Sequence, residues 1–272
     1  MTEPRTYPNG VTCWIAAEEP DVEAATAFYG ELFGWTFRNI TPPGAPVYYM
    51  AALDGADVGA VTGGRTARWT TFVATDDVDE TAAEIERAGG TVIAAPRDAG
   101  SDGRTATVVD PQGAELRLWQ AKDHPGSQAV NSPGAWNFSD LQTTDPDGAK
   151  RFYTEVFGWH YLDFGPTVES MIGVAGYGDY LAATSDPQIY ERQAGAPEGF
   201  ANVIGAVESA PSGVQARWRV KFSVASRAES IAVAERLGAT VVATDDQVWA
   251  DLADLRDPQG AEFTISEFHE PR

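Results

Sequence analysis

Asp145-Pro146-Asp147-Gly148-Ala149-Lys150-Arg151-Phe152-Tyr153-Thr154-Glu155-Val156-Phe157-Gly158-Trp159 decides how this chain is read, because its landmarks already occur in Asp21-Val22-Glu23-Ala24-Ala25-Thr26-Ala27-Phe28-Tyr29-Gly30-Glu31-Leu32-Phe33-Gly34-Trp35. Each stretch begins with an aspartate where a helix N-cap is wanted, its carboxylate accepting from otherwise orphaned backbone N–H groups. Pro146 follows at the first helical position, where a missing N–H costs nothing. Apolar residues then return at helical spacing. Phe28, Tyr29 and Leu32, with Phe152, Tyr153 and Val156 as counterparts, form a stripe that should face a core, so these aromatics read as packing.

Working outward, the repetition continues in order. Ala88-Gly89-Gly90-Thr91-Val92 returns as Leu237-Gly238-Ala239-Thr240-Val241, and Asp110-Pro111-Gln112-Gly113-Ala114-Glu115 as Asp257-Pro258-Gln259-Gly260-Ala261-Glu262. The former close a second helix, expected over about Asp77 to Ala88 and Ser226 to Leu237, with Gly89 and Gly238 as left-handed caps. Asp-Pro-Gln-Gly suits a tight turn between two strands. Each copy therefore reads as strand, helix, three strands, twice over, an internal pseudo-dimer. Domains are expected at residues 1–122 and 134–272, joined by a polar, turn-rich linker at 123–133. The offset between copies grows from 124 (Asp21 to Asp145) to 149 (Asp77 to Ser226), so the second copy carries 25 extra residues. They are placed at about 185–213, either a lid or a disordered surface excursion.

Composition narrows the function classes. With 272 residues and 43% hydrophobic residues, two cores need no disulfide staples, and the single cysteine, Cys13, permits no intrachain bridge. A net charge of −21 argues against nucleic acid, and no apolar run is long enough to span a membrane. With no signal-like opening, a cytoplasmic location is expected. Glycine-rich phosphate loops and nucleophile elbows are missing, so no cofactor is implied.

The order of elements, with Phe-Tyr and Phe-Gly-Trp after the first helix and Asp-Pro-Gln-Gly before the last strand, resembles the vicinal-oxygen-chelate superfamily, the glyoxalase and bleomycin-resistance fold, in its tandem two-domain actinobacterial branch. The resemblance covers nearly the whole chain. It implies an α+β fold of two tandem glyoxalase-like domains, each of paired βαβββ units forming a curved mixed sheet around a cleft, with helices outside. Metal-dependent members of the superfamily take ligands from set strand positions. Alignment on the helix starts and Asp-Pro-Gln-Gly turns puts Trp14, Thr70 and Arg117 at those positions in the first copy, and Phe138, Arg219 and Thr264 in the second. A guanidinium has no lone pair to offer and an indole only an N–H donor, so no metal site is expected. His124, His160 and His269 lie elsewhere.

Strand alternation sorts the remaining cleft residues. Trp218, Val220 and Phe222 share an apolar face against Arg219 and Lys221; Thr70 and Phe72 share the corresponding face of the first copy. Glu115, Arg117 and Trp119 fall together on the last strand of that copy, and Trp136, Phe138 and Asp140 on the first strand of the second. The aromatic residues offer stacking area, each contact contributing about 0.5 to 1.5 kcal/mol beyond burial. Asp140 and Glu115 would accept from an amino group, and Arg117, Arg219 and Lys221 would hold phenolate, carboxylate or quinone oxygens. The expected ligand is a small planar aromatic natural product. Metal-free relatives by resemblance sequester antibiotics or act as accessory proteins in making aromatic polyketides, which would bring a biosynthetic enzyme as partner. A competing expectation is a metal-independent isomerase, cyclase or lyase with Asp140 or Glu115 as general base and Arg219 stabilising negative charge.

Overall fold

In a computed structural model, residues 4–41, 43–164 and 170–269 are described. The first copy contains β1 (Thr12–Glu19), α1 (Val22–Phe33), β2 (Thr36–Asn39), β3 (Tyr48–Leu53), β4 (Ala56–Gly63), β5 (Arg68–Ala74), α2 (Val78–Arg87), β6 (Thr91–Asp98), β7 (Gly103–Val109) and β8 (Glu115–Ala121). The second contains β9 (Trp136–Thr143), α3 (Pro146–Phe157), β10 (His160–Leu162), β11 (Met171–Gly173), α4 (Tyr177–Ala183), α5 (Ile189–Arg192), β12 (Val203–Ser209), β13 (Arg217–Ser223), α6 (Arg227–Arg236), β14 (Thr240–Asp246), β15 (Ala250–Arg256) and β16 (Glu262–Phe268). Each copy makes one eight-stranded sheet, in the orders β2-β3-β4-β1-β5-β8-β7-β6 and β10-β11-β12-β9-β13-β16-β15-β14. Both sheets are mixed: β1 with β4, β5 with β8, β12 with β9 and β13 with β16 run parallel, and the hairpins antiparallel. The expected α+β architecture of tandem βαβββ pairs is what the chain adopts.

Local chemistry sets the helix ends as expected. The Asp21 carboxylate accepts from Ala24 N and that of Asp145 from Gly148 N, both N-caps, while Gly34 and Gly158 close the same helices in the left-handed region at φ 75° and 67°. Asp77 and Ser226 cap α2 and α6.

Packing follows a division that the linear repeat does not show. The chain forms two compact units, one of Met1–Cys13, Thr71–Gly126 and Ser139–Trp218, the other of Trp14–Thr70, Ser127–Phe138 and Arg219–Arg272. Each unit thus combines half of one copy with half of the other. Within the first unit, Tyr153 of α3 donates to Asp110 Oδ2 at 3.0 Å and accepts from Trp218 Nε1 at 3.2 Å. Within the second, Tyr29 of α1 donates to Asp257 Oδ2 at 2.7 Å and accepts from Trp69 Nε1 at 3.1 Å. The Phe-Tyr motif of each copy therefore meets the Asp-Pro-Gln-Gly turn of the other, which gives both motifs a shared reason to recur. Trp159 Nε1 reaches Gly10 O at 2.8 Å in one unit and Trp35 Nε1 reaches Gly134 O at 2.7 Å in the other, so the Phe-Gly-Trp element also anchors a segment of the opposite copy.

The extra residues of the second copy overlap the expected 185–213 only as far as residue 202 and begin earlier. Val203–Ser209 is the strand that pairs in parallel with β9, the counterpart of β4, so the added length lies between β11 and β12, residues 174–202. This stretch is not an unstructured excursion. It folds as α4, α5 and a 3₁₀ turn at Phe200–Asn202, and buries Tyr177, Leu181 and Ile189 in the core of the first unit.

Candidate functional site

In the first unit, Phe72 on β5 and Arg117 on β8 are directly paired across two parallel strands. The Arg117 guanidinium carbon lies 5.5 Å from the Phe72 ring centroid, a cation–π contact. Trp119, two residues along β8, meets Phe72 edge-on at 6.3 Å and 80°. Its indole N–H donates to the carbonyl of His124 at 2.9 Å, so a histidine of the expected linker sets the orientation of this ring through its backbone. Glu115 stands two residues before Arg117, half-buried on the same strand. Beside Trp119 lies a cavity of about 190 Å³, walled by Tyr7, Ala74, Thr75, Asp76, Gln120 and Pro125. Sites for drug-sized molecules span roughly 300 to 1,000 Å³, so this one accommodates a single ring rather than a polycycle.

Asp140, on β9 of the same unit, is only 2% exposed, and its Oδ1 accepts from Ala206 N at 2.9 Å. One oxygen of the carboxylate expected to serve a ligand amine or act as a base is thus engaged with the backbone of β12. Close approach explains the arrangement: a Cβ at Gly205 would stand 2.2 Å from Ser139 O, so the two strands come together only because that residue is glycine.

In the second unit, the Arg219 guanidinium on β13 pairs with Asp254 on β15, whose other oxygen accepts from Thr264 Oγ1 of β16 at 2.7 Å. Asp254 and Thr264 are register partners, and Lys221 is the partner of Thr264 on its other side. Arg219 and Thr264, placed together from sequence, are therefore brought together by a carboxylate that sequence reasoning passed over. Counting back from the Asp257 turn would have found it, since a hairpin closed there sets Asp254 opposite Thr264. Trp14 is buried on β1, and its indole N–H donates to Tyr48 Oη at 3.1 Å, a second aromatic missed from sequence. Thr70 is buried on β5, and Phe138 is half-buried on β9. Trp136 joins the apolar core of this unit, and among the described residues its indole nitrogen has no acceptor. Cys13, which falls in the first unit, is wholly buried, and burial pushes its thiol up, as suits a small core hydrophobe.

Comparison with known proteins bears on what this geometry serves. Residues 14–118 match the Glyoxalase/Bleomycin resistance protein/Dioxygenase superfamily, and residues 138–266 match the Glyoxalase-like domain. The chain is 32% identical to CFP32 of Mycobacterium tuberculosis, whose name carries only a provisional glyoxylase assignment, over 97% of both proteins. The chain belongs to the glyoxalase, bleomycin-resistance and dioxygenase superfamily. It is also 31% identical to the anthracycline biosynthesis protein DnrV of Streptomyces peucetius, over 97% of this chain and 95% of that one. Among solved structures, the Mn(II)-bound glyoxalase of Novosphingobium aromaticivorans superposes with a TM-score of 0.61 at 14% identity, covering 96% of this chain and 83% of that one, which speaks to the fold alone. The superfamily implies a divalent metal, and the residues here do not fit one. Its expected ligand positions carry Trp14, Thr70 and Arg117, and Phe138, Arg219 and Thr264, none of which presents an imidazole or carboxylate donor. Among the described residues no three His, Cys, Asp or Glu side chains gather in a way that would hold an ion. Nor does any helix among them have the length and apolarity to cross a membrane.

Proposed function

We propose that this chain binds a planar aromatic natural product without a metal, in antibiotic biosynthesis or self-resistance. The observation that carries the reading is the Phe72, Arg117 and Trp119 cluster, where two buried rings and a half-buried guanidinium are held on adjacent strands and Trp119 lines a cavity the size of one ring. One ring of the ligand enters beside Trp119, and the remainder lies along Arg117 and Phe72, where a guanidinium favours quinone or phenolate oxygens. Similarity to DnrV across nearly the whole chain supports a place in such a pathway. The test is a tryptophan fluorescence titration with anthraquinones and anthracyclines, on the wild type and Trp119→Phe. Saturable quenching that weakens in the variant is expected. Failure of every aromatic in such a panel to bind overturns the reading.

A second reading, a metal-independent isomerase or lyase, draws on the Arg219, Asp254 and Thr264 constellation, where Asp254 would act as base and the Arg219 guanidinium would stabilise developing negative charge. It predicts conversion of the bound aromatic and its loss in Asp254→Asn.

A further inference from the structure

Glu19 ends β1 in the second unit with its carboxyl wholly buried, and neither side-chain oxygen has a hydrogen-bond partner among the described residues. Buried polar atoms are nearly always paired, so this one requires a reason. Its surroundings are already saturated. Trp69 donates to Tyr29, and Tyr29 to Asp257 Oδ2. Asp257 Oδ1 accepts the backbone N–H groups of Gln259, Gly260 and Ala261 at 2.9, 2.7 and 2.9 Å. The first unit provides an internal control. It contains the same chain, Trp218 to Tyr153 to Asp110, with Asp110 Oδ1 accepting from Gln112 N and Ala114 N at 2.9 and 2.8 Å. At the place of Glu19 it has Thr143, also wholly buried, whose hydroxyl accepts from Asp145 N at 3.2 Å. At this point the two units differ by a single carboxyl.

We propose that Glu19 is a pH-sensitive latch of the second unit: its unpartnered carboxyl is accommodated in the core beside the Asp257 turn only while neutral, and its ionisation loosens the second unit while leaving the first intact. The titratable groups facing it are Asp257, from the turn before β16, and Tyr29, from α1. Trp69, from β5, contributes no charge. Burial, and after it the neighbouring Asp257, push the Glu19 carboxyl up to about 9. A folded value above the unfolded one means that the stability is fully present below the unfolded value, near 4.5, and is lost as pH rises towards 9. Across that window the unfolding constant of the second unit rises by up to about tenfold per pH unit, the limit for one proton.

Hydrogen exchange on the full chain at pH 6, 7, 8 and 9, corrected for the intrinsic rate and read peptide by peptide, tests this. In the wild type, protection of α1 and β1 should fall by up to about tenfold per pH unit relative to α3 and β9. In Glu19→Gln, which keeps the shape, and Glu19→Thr, which installs the residue of the first unit, the difference should vanish. Equal slopes in both units, or a slope that persists in the variants, overturns the proposal. Should neither variant fold, isotope-edited infrared spectroscopy of glutamate-labelled wild type decides: a buried protonated-carboxyl band at pH 7 that disappears near pH 9 is expected, and its absence at pH 7 refutes the latch.

Discussion

Replacing Tyr153 by Phe removes one oxygen atom from the core of the first unit and leaves the ring in place. That oxygen donates to Asp110 Oδ2 at 3.0 Å and accepts from Trp218 Nε1 at 3.2 Å, and the residues it joins are all buried. The substitution therefore strands one buried acceptor and one buried donor, each at about 1 to 3 kcal/mol, and the acceptor belongs to a carboxyl group already pushed up by burial. A total loss of about 2 to 6 kcal/mol is expected, with a fall in melting temperature of roughly 6 to 18 °C at about 3 °C per kcal/mol for a unit of this size. Urea denaturation and calorimetry on Tyr153→Phe measure it, with Tyr29→Phe in parallel. Tyr29→Phe should cost less, because the neighbouring neutral Glu19 carboxyl, unpartnered in the wild type, can turn to donate to the Asp257 oxygen that Tyr29 leaves. A loss below about 0.5 kcal/mol for Tyr153→Phe would show that the hydroxyl does not hold the two copies' motifs together and would refute the exchange as the reason they recur.

Two further outcomes follow from the geometry. Gly205→Ala should destabilise the protein by about 3 kcal/mol in chemical denaturation, since the new Cβ would stand 2.2 Å from Ser139 O and displace the Asp140 contact to Ala206 N. Arg117→Met should weaken aromatic ligand binding by about 5- to 30-fold, the equivalent of about 1 to 2 kcal/mol for a desolvated cation–π contact, while Asp254→Asn in the other unit leaves the titration unchanged.

Local features of the fold were legible because their causes are local. Asp21 and Asp145 cap helices through their own side chains, Gly89 and Gly238 sit beyond α2 and α6 at φ 93° and 95°, and alternation through Trp218, Val220 and Phe222 separates core from opposite face. The exchange of motifs between copies was not legible, because Tyr29 and Asp257 are brought together by topology across more than two hundred residues. The landmarks flanking the second copy's extra length bracket it without locating it. Val203–Ser209 was consequently counted as added, although its pairing with β9 makes it the module's fourth strand. At the candidate site, the shared face of Arg117 and Trp119 is legible from strand alternation, because both lie on β8 two residues apart. The backbone partner of Asp140 was not legible, because a sequence does not show that a nearby glycine, Gly205, brings a backbone N–H within its reach. Asp254 escaped because its importance lies in what it joins rather than in its own spacing.

The proposed function rests on a cluster of aromatic rings beside a cavity, rather than on a metal ion. Protein treated with a chelator and titrated with an anthraquinone or anthracycline tests it most directly, with the ligand recovered and analysed by chromatography. Saturable binding of unchanged ligand in the absence of metal is the predicted result. Binding or conversion that arises only on adding manganese, zinc or iron would contradict the account.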